Sequence, residues 1–183
     1  MSEAEQKSQE VKLEDFFAKM LSVIGQITDD QIAELLKRRH KSVSVAESVT
    51  GGLVAERLTN ISGSSEYFMG GIIAYHSRIK VQELGVPGGL IAKEGAVSKE
   101  VASAMAEGIR RRFKTNIGLA TTGCAGPLPA PPAPIGLVYI ALADEQGVDC
   151  RELHLQGTRQ QIREKAAQSA LGLLWLNLGG EEG

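Results

Sequence analysis

Apolar residues recur along the chain in two patterns, as short runs and at the spacing of one helix face. The runs predict strands at 43–46, 67–75, 116–123, 135–143 and 148–155. Helical spacing predicts helices at 13–24, 28–39, 53–59, 76–84, 98–113 and 158–178. Strands and helices alternate through the middle of the chain, and the last two strands suit a hairpin. This order predicts an α/β fold with a mixed sheet and helices on both faces.

The same patterns indicate how the chain is divided. Residues 1–12 are polar and poor in large apolar side chains, so we expect a flexible tail there. We expect residues 13–180 to form a single domain, in which the two helices within 13–40 pack on the core. Thr28 and Gln31 have the spacing of a capping box at the start of the second helix. Residues 86–89 are typical of a turn.

The stretch 43–58 predicts a strand, a tight turn and a helix, with Ser48 in the turn. Gly51 and Gly52 let the backbone approach a ligand, and the free N–H groups at a helix start attract anions and developing oxyanions. We therefore take Thr50, Gly51 and Gly52 as candidate substrate-binding residues and Ser48 as a candidate nucleophile. The alternative is structural, because serine, threonine and glycine are common at helix starts. The stretch is neither a Walker loop nor a G-x-G-x-x-G fingerprint.

Three loops follow predicted strand ends, after residues 46, 74 and 121. The carboxyl ends of parallel strands meet at one edge of an open α/β sheet, so their polar side chains should converge. Lys80 could serve as the base for a serine if burial lowers its pKa, and Tyr75 could orient the proton. Thr122 could hydrogen-bond a substrate. Each also has an ordinary interpretation, namely a solvated lysine, a half-buried tyrosine and a strand residue.

Other polar groups leave similar alternatives. His76 could act as a base, although it lies in a polar turn where surface placement is common. Arg159 and Arg163 begin the last helix and could hold a phosphate, or they could be solvated helix charges.

Composition excludes several classes of protein. The formal net charge of −2 gives no electrostatic reason to expect a nucleic-acid or membrane-surface partner. No apolar run approaches the roughly 20 residues that span a bilayer, and no signal-peptide pattern opens the chain. We therefore expect a cytoplasmic protein in which Cys124 and Cys150 are free thiols. The three histidines lack ligand spacing, so we expect no metal and no cofactor.

Several motifs in one order resemble the CinA C-terminal domain family. They are residues 46–52, residues 70–75 with Lys80, residues 95–98 and residues 121–127, and the resemblance extends over about 28–178. Members of this family include nicotinamide mononucleotide (NMN) deamidases. The resemblance implies a three-layer α/β/α sandwich with a mostly parallel sheet, and a homo-oligomer. It also implies metal-free hydrolysis of the NMN carboxamide to nicotinic acid mononucleotide and ammonia.

The resemblance also implies roles for individual residues. Ser48 corresponds to the nucleophile, Lys80 to its base and Tyr75 to the residue that completes a Ser-Lys-Tyr arrangement. Thr122 and Gly123 correspond to substrate or oxyanion contacts, and Arg159 to a contact with the nucleotide phosphate.

Two positions depart from the family pattern. Val49 stands where the family usually has cysteine, and the loop at 127–134 is rich in proline where the family is usually rich in glycine. Prolines remove backbone donors that could meet a phosphate or a ribose.

Three functional hypotheses follow. The leading one is an NMN amidohydrolase. The second is a catalytically silent nucleotide-binding or scaffold module of the same fold, which the proline loop favours. The third keeps the hydrolase chemistry and changes the amide.

Overall fold

The computed structural model describes residues 27–129 and 133–180. The predicted tail at 1–12, the predicted helix at 13–24 and part of the proline loop lie outside these ranges. The strands are β1 (Val43–Glu47), β2 (Phe68–Ile73), β3 (Ile117–Gly123), β4 (Leu137–Ala143) and β5 (Val148–His154). The helices are α1 (Asp29–Arg38), α2 (Leu53–Thr59), α3 (Ser77–Leu84), α4 (Gly88–Glu94), α5 (Lys99–Phe113) and α6 (Arg159–Asn177). A short 3₁₀ helix covers Ser64–Glu66.

The five strands form one sheet in the order β2-β1-β3-β4-β5. β1 is parallel to both of its neighbours, whereas β4 is antiparallel to β3 and to β5. Four of the five strands therefore run in the same direction. The predicted mixed and mostly parallel sheet is confirmed.

Helices cover both faces of this sheet and form two separate cores. On one face α2 packs on β1, α6 packs on β3 and β4, and α1 packs on α2 and α6. Leu36, Val54 and Leu174 are among the buried side chains of this core. On the other face α5 packs on the sheet, and α3 and α4 pack on α5. Met105 of α5 and Ala120 of β3 belong to this second core. The alternation of β1 explains the division, because successive side chains of a strand point to opposite faces. The three-layer α/β/α sandwich is confirmed.

Most predicted helix starts are present with their caps. Thr28 and Gln31 form the capping box of α1, and Thr158 forms one at the start of α6. The turn predicted at 86–89 is only partly correct, since residues from Gly88 onward form α4. Two glycines weaken the helical pattern there, but the core contacts of Leu90 and Ile91 outweigh that low helix propensity.

The parallel pairing brings three strand ends to the same level. Glu47, the last residue of β1, is in register with Ile73 of β2 and with Thr121 of β3. The segments that follow β1 and β2 therefore begin side by side at one edge of the sheet, where β3 continues a little further to Gly123. The predicted convergence of the three loops follows from this register.

Gly108 on α5 provides a test of how closely the helices pack. A methyl group at this position would overlap the carbonyl oxygen of Leu84 on α3. Gly108→Ala should therefore lower the free energy of unfolding by about 1–3 kcal/mol, although alanine ordinarily stabilises a helix. Gly89→Ala in α4 is the matched control, because nothing lies near the added methyl group and a gain of up to about 1 kcal/mol is expected. Urea unfolding of both variants measures the difference, and a stabilised Gly108→Ala variant would contradict the packing.

Candidate active site

Ser48 and Lys80 form a buried pair at the edge where the strands end. The backbone N–H of Ser48 donates to the Thr121 carbonyl over 3.0 Å, which fixes the residue directly after β1. Lys80 reaches it from α3, and the lysine Nζ lies 2.9 Å from the Ser48 Oγ. The same Nζ donates to the Ala74 carbonyl over 2.6 Å. A nucleophile and a nitrogen base thus lie within hydrogen-bonding distance.

Burial changes the acid–base behaviour of Lys80. Only 1% of its surface is exposed, so the ammonium form loses its hydration. This desolvation lowers the pKa of Lys80 from 10.5 to about 8. Over residues 27–129 and 133–180, no carboxylate is paired with Lys80 to restore the charged form. The interpretation of Lys80 as a solvated surface residue is wrong.

Glu47 occupies the start of α2, where free N–H groups were expected. One carboxylate oxygen accepts from the N–H groups of Gly52 (2.8 Å) and Val54 (3.2 Å), and the other from that of Ala55 (2.8 Å). Glu47 is 1% exposed, so its carboxylate replaces solvent at this helix end. The prediction that the helix start offers free donors to a substrate is therefore wrong for these three groups.

Thr50, Gly51 and Gly52 shape the turn that follows Ser48. The Thr50 hydroxyl lies 2.7 Å from that of Thr121, and Thr50 is fully buried. Gly51 and Gly52 have positive φ values of 60° and 105°, which explains the need for glycine at both positions. None of the three residues lines the pocket beside Ser48. Their direct contact with a substrate stays a prediction that this geometry does not favour.

A pocket of about 170 Å³ opens beside the Ser48–Lys80 pair. Thr122 and Gly123 line it from β3, and Ala96 and Val97 line it from the connection between α4 and α5. The Thr122 hydroxyl donates to the Ala96 carbonyl over 2.8 Å, which ties the two walls together. The predicted convergence of Thr122 and Gly123 with Ser48 is present. Ala96 and Val97 belong to the motif at residues 95–98, to which the sequence analysis assigned no function.

Tyr75 and Arg159 meet at the mouth of this pocket. The Tyr75 hydroxyl accepts from the Arg159 guanidinium over 2.9 Å, and the same guanidinium donates to the Gly126 carbonyl. Tyr75 is 60% exposed, and its hydroxyl makes no hydrogen bond with Ser48 or Lys80 in the part of the chain that is described. The structure thus places Tyr75 in the pocket wall but does not join it to the Ser48–Lys80 pair.

Arg163 lies one helical turn beyond Arg159 and contacts the backbone rather than the pocket. Its Nε donates to the Val49 carbonyl over 3.2 Å, and one terminal nitrogen donates to the Thr50 carbonyl over 2.8 Å. The sequence offered only a phosphate contact or a solvated charge for Arg163. No local pattern could reveal this contact, since more than a hundred residues separate Arg163 from the turn.

Other candidates have structural roles. The His76 Nδ1 accepts from the Arg78 N–H and caps α3. Cys124 and Cys150 are free thiols, as predicted, and burial raises the pKa of Cys150 to about 11.

No group of three or more His, Cys, Asp or Glu side chains is arranged to hold a metal ion among the described residues. Within the same residues, no helix is long and apolar enough to cross a membrane.

Fold and site together define a three-layer α/β/α domain with a serine–lysine pair beside a pocket at the edge of its sheet. The profile of the CinA C-terminal domain matches residues 26–178. The chain belongs to the CinA C-terminal domain family.

Relatives of known sequence agree with this assignment. A CinA-like protein from Frankia casuarinae is 48% identical over 146 residues, which are 80% of this chain and 34% of that protein. A putative competence-damage inducible protein from Moorella thermoacetica is 46% identical over 157 residues, which cover 82% of this chain and 38% of that protein. The chain thus spans little more than a third of the length of these curated relatives.

Solved structures show the same fold. The competence/damage inducible protein CihA from Agrobacterium tumefaciens superposes with a TM-score of 0.75 at 35% identity, covering 81% of this chain and 96% of that one. A CinA superfamily protein from Klebsiella pneumoniae gives a TM-score of 0.80 at 24% identity, covering 84% and 96%, and is evidence for the fold alone.

The lowered pKa of Lys80 predicts how stability depends on pH. Below pH 8 the lysine is protonated in both the folded and the unfolded chain, and the folded state carries the desolvation cost. Between pH 8 and 10.5 only the unfolded chain keeps the proton, so stability rises with pH. The free energy of unfolding of the wild type should therefore increase, relative to that of Lys80→Met, by about 3 kcal/mol across this interval.

Denaturant unfolding of both proteins at pH 7 and pH 10.5 measures this difference. Lys93→Met is the matched control, since Lys93 is largely exposed. A difference between the wild type and Lys80→Met that is constant with pH would contradict a lowered pKa.

Proposed function

We propose that this protein is an amidohydrolase that converts NMN to nicotinic acid mononucleotide and ammonia, with Ser48 as nucleophile and Lys80 as general base. The observation that carries the proposal is the 2.9 Å contact between the buried Lys80 Nζ and the Ser48 Oγ. A buried lysine without a paired carboxylate is costly to fold. A binding module without catalytic activity would gain nothing from such a buried lysine beside a serine.

Acylation uses the neutral form of Lys80. One Nζ–H donates to the Ala74 carbonyl, which leaves the nitrogen lone pair free to face Ser48. As the Ser48 Oγ attacks the carboxamide carbon, its proton passes to Lys80, and the carbonyl oxygen takes the negative charge. When the intermediate collapses, Lys80 gives that proton to the leaving nitrogen. The C–N bond breaks and ammonia departs, leaving a nicotinoyl ester on Ser48.

Deacylation repeats the proton transfers with water. Neutral Lys80 accepts a proton from a water molecule that attacks the ester carbonyl, and it then returns a proton to the Ser48 Oγ as the C–O bond breaks. The carboxylic acid formed in this way loses its proton to water, and the product leaves as a carboxylate. One lysine can serve both half-reactions because a pKa near 8 leaves about a tenth of it neutral at pH 7, far more than an ordinary lysine has.

Two considerations support NMN as the substrate. The family resemblance implies a nucleotide carboxamide, and Arg159 presents an exposed guanidinium at the pocket mouth, where a phosphate could bind. Its bonds to Tyr75 and Gly126 hold it in place there, and no carboxylate among residues 27–129 and 133–180 pairs with it. In this proposal Arg159 therefore binds the phosphate while Ser48 meets the carboxamide.

Ammonia release from NMN tests the reaction and its two central residues. Wild-type protein should release ammonia in the presence of EDTA, and Ser48→Ala and Lys80→Met should each lower kcat by about 10³-fold or more. Lys93→Met, at an exposed lysine, should keep wild-type activity. Full activity in either site variant would disprove its assigned role.

The pH profile tests the protonation state of the base. The neutral fraction of Lys80 falls about tenfold for each pH unit below its pKa. We therefore expect log(kcat/KM) to rise with unit slope below about pH 8 and to level off above it. A pH-independent rate between pH 6 and 9 would contradict a lysine base.

Substrate comparison tests the role of Arg159. Arg159→Met should raise KM for NMN by about 10-fold or more, because a charge-assisted contact with the phosphate is lost. The same substitution should leave KM for nicotinamide riboside, which has no phosphate, within about twofold. Nicotinamide and glutamine complete the series, and faster turnover of either than of NMN would favour hydrolysis of a different amide.

A further inference from the structure

Five of the eight backbone N–H groups in the segment 48–55 already have partners, so within the described part of the chain three are left that could stabilise an oxyanion. The N–H of Ser48 itself donates to Thr121, and those of Gly52, Val54 and Ala55 donate to Glu47. The N–H of Leu53 points to the Thr50 carbonyl at 3.4 Å. Of the segment 48–55, only the N–H groups of residues 49–51 have no partner among the described residues.

Val49 is the one member of this free group that lines the pocket. Its N–H belongs to the peptide bond that joins Ser48 to Val49, directly beside the nucleophile. The N–H of the residue after a nucleophilic serine is well placed for the oxygen that becomes negative during attack. The N–H of Ser48, which also lines the pocket, has a partner, and the Val49 N–H lies next to the nucleophile. Both observations point to the Val49 N–H as the oxyanion donor.

Arg163 holds the rest of this short segment. Its guanidinium donates one hydrogen bond to the carbonyl oxygen of Val49 and another to that of Thr50. Each peptide plane contains one C=O and the N–H of the next residue, so these two bonds fix the planes that carry the N–H groups of Thr50 and Gly51. The Val49 N–H lies in the preceding peptide, which is held from one side by this fixed pair. The guanidinium also lies 3.1 Å from where a side-chain carbon on Gly51 would begin, which leaves the turn little room to shift.

We infer that Arg163 is a positioning residue, which holds the turn after Ser48 so that the Val49 N–H meets the developing oxyanion. The inference rests on the proposed Ser48 chemistry. Arg163 is not among the residues that line the pocket, and its two hydrogen bonds within the described residues are to backbone oxygens, so it contacts the loop rather than the pocket. A planar fork can bond two carbonyls at once, whereas lysine presents a single ammonium.

Steady-state kinetics with NMN separate positioning from substrate binding. Arg163→Met should lower kcat by about 10²-fold with KM within about twofold, since loss of an oxyanion donor affects the transition state. Arg163→Lys should recover part of kcat, and millimolar guanidinium should partly rescue Arg163→Ala. An unchanged kcat, or a raised KM with kcat unchanged, would overturn the inference. Thermal melts show whether each variant is folded, and the lysine variant keeps the test valid if the methionine variant is not.

A fluorophosphonate probe tests the same inference without NMN. The Ser48 Oγ displaces fluoride from phosphorus, its proton goes to Lys80, and the phosphoryl oxygen takes the place of the oxyanion. Arg163→Met should slow labelling of Ser48 by about 10-fold or more, whereas Arg159→Met should slow it much less. Equal labelling rates for Arg163→Met and the wild type would overturn the role of Arg163.

The two readouts also distinguish this inference from the proposed function. Labelling at Ser48 that depends on Arg163, without ammonia release from NMN, would reject the substrate and support the inference. A wild-type protein that neither turns over NMN nor reacts at Ser48 would overturn both.

Discussion

The site depends on one lysine side chain that the fold has removed from water. Lys80 is almost wholly buried, its Nζ touches the Ser48 Oγ and the Ala74 carbonyl, and desolvation lowers its pKa to about 8. A solvated lysine near pKa 10.5 would have less than about 0.1% of its side chains neutral at pH 7, whereas a pKa of about 8 leaves about a tenth able to accept a proton. Because α3 begins directly after the β2 end, it carries Lys80 to the level of the turn after β1. The sheet register thus places the base beside the nucleophile.

A second constraint acts on the turn that carries Ser48. A tight, buried turn contains backbone N–H and C=O groups that need hydrogen-bond partners, and two charged side chains provide those partners here. Glu47 accepts the N–H groups at the start of α2, and Arg163 donates to the carbonyls of Val49 and Thr50. A helix start would otherwise attract an anion by itself. With Glu47 in that position, the inferred oxyanion donor moves to the peptide bond next to the nucleophile.

Much of this arrangement could be predicted from the sequence, because its signals are local. Periodicity identified the strands and most of the helices, the caps at Thr28 and Thr158 marked two helix starts, and strand ends brought Ser48 and Lys80 together. The unpredicted parts depend on contacts between distant residues. The Thr50 hydroxyl meets Thr121 on another strand, and Arg163 reaches the turn from the last helix. Helix α4 was missed because core packing outweighs the low helix propensity of its first two glycines.

The most direct test of this account is a measurement of the pKa of Lys80 itself. Titration of the lysine ¹³Cε signals by NMR, assigned by comparison with Lys80→Met, follows that one side chain through its protonation. The account predicts a midpoint of about 8, well separated from the other lysines. A Lys80 signal that titrates with the exposed lysines near 10.5 would show that too little neutral amine exists near neutral pH to serve as a base. The proposed role of Lys80 as the base for Ser48 would then be wrong.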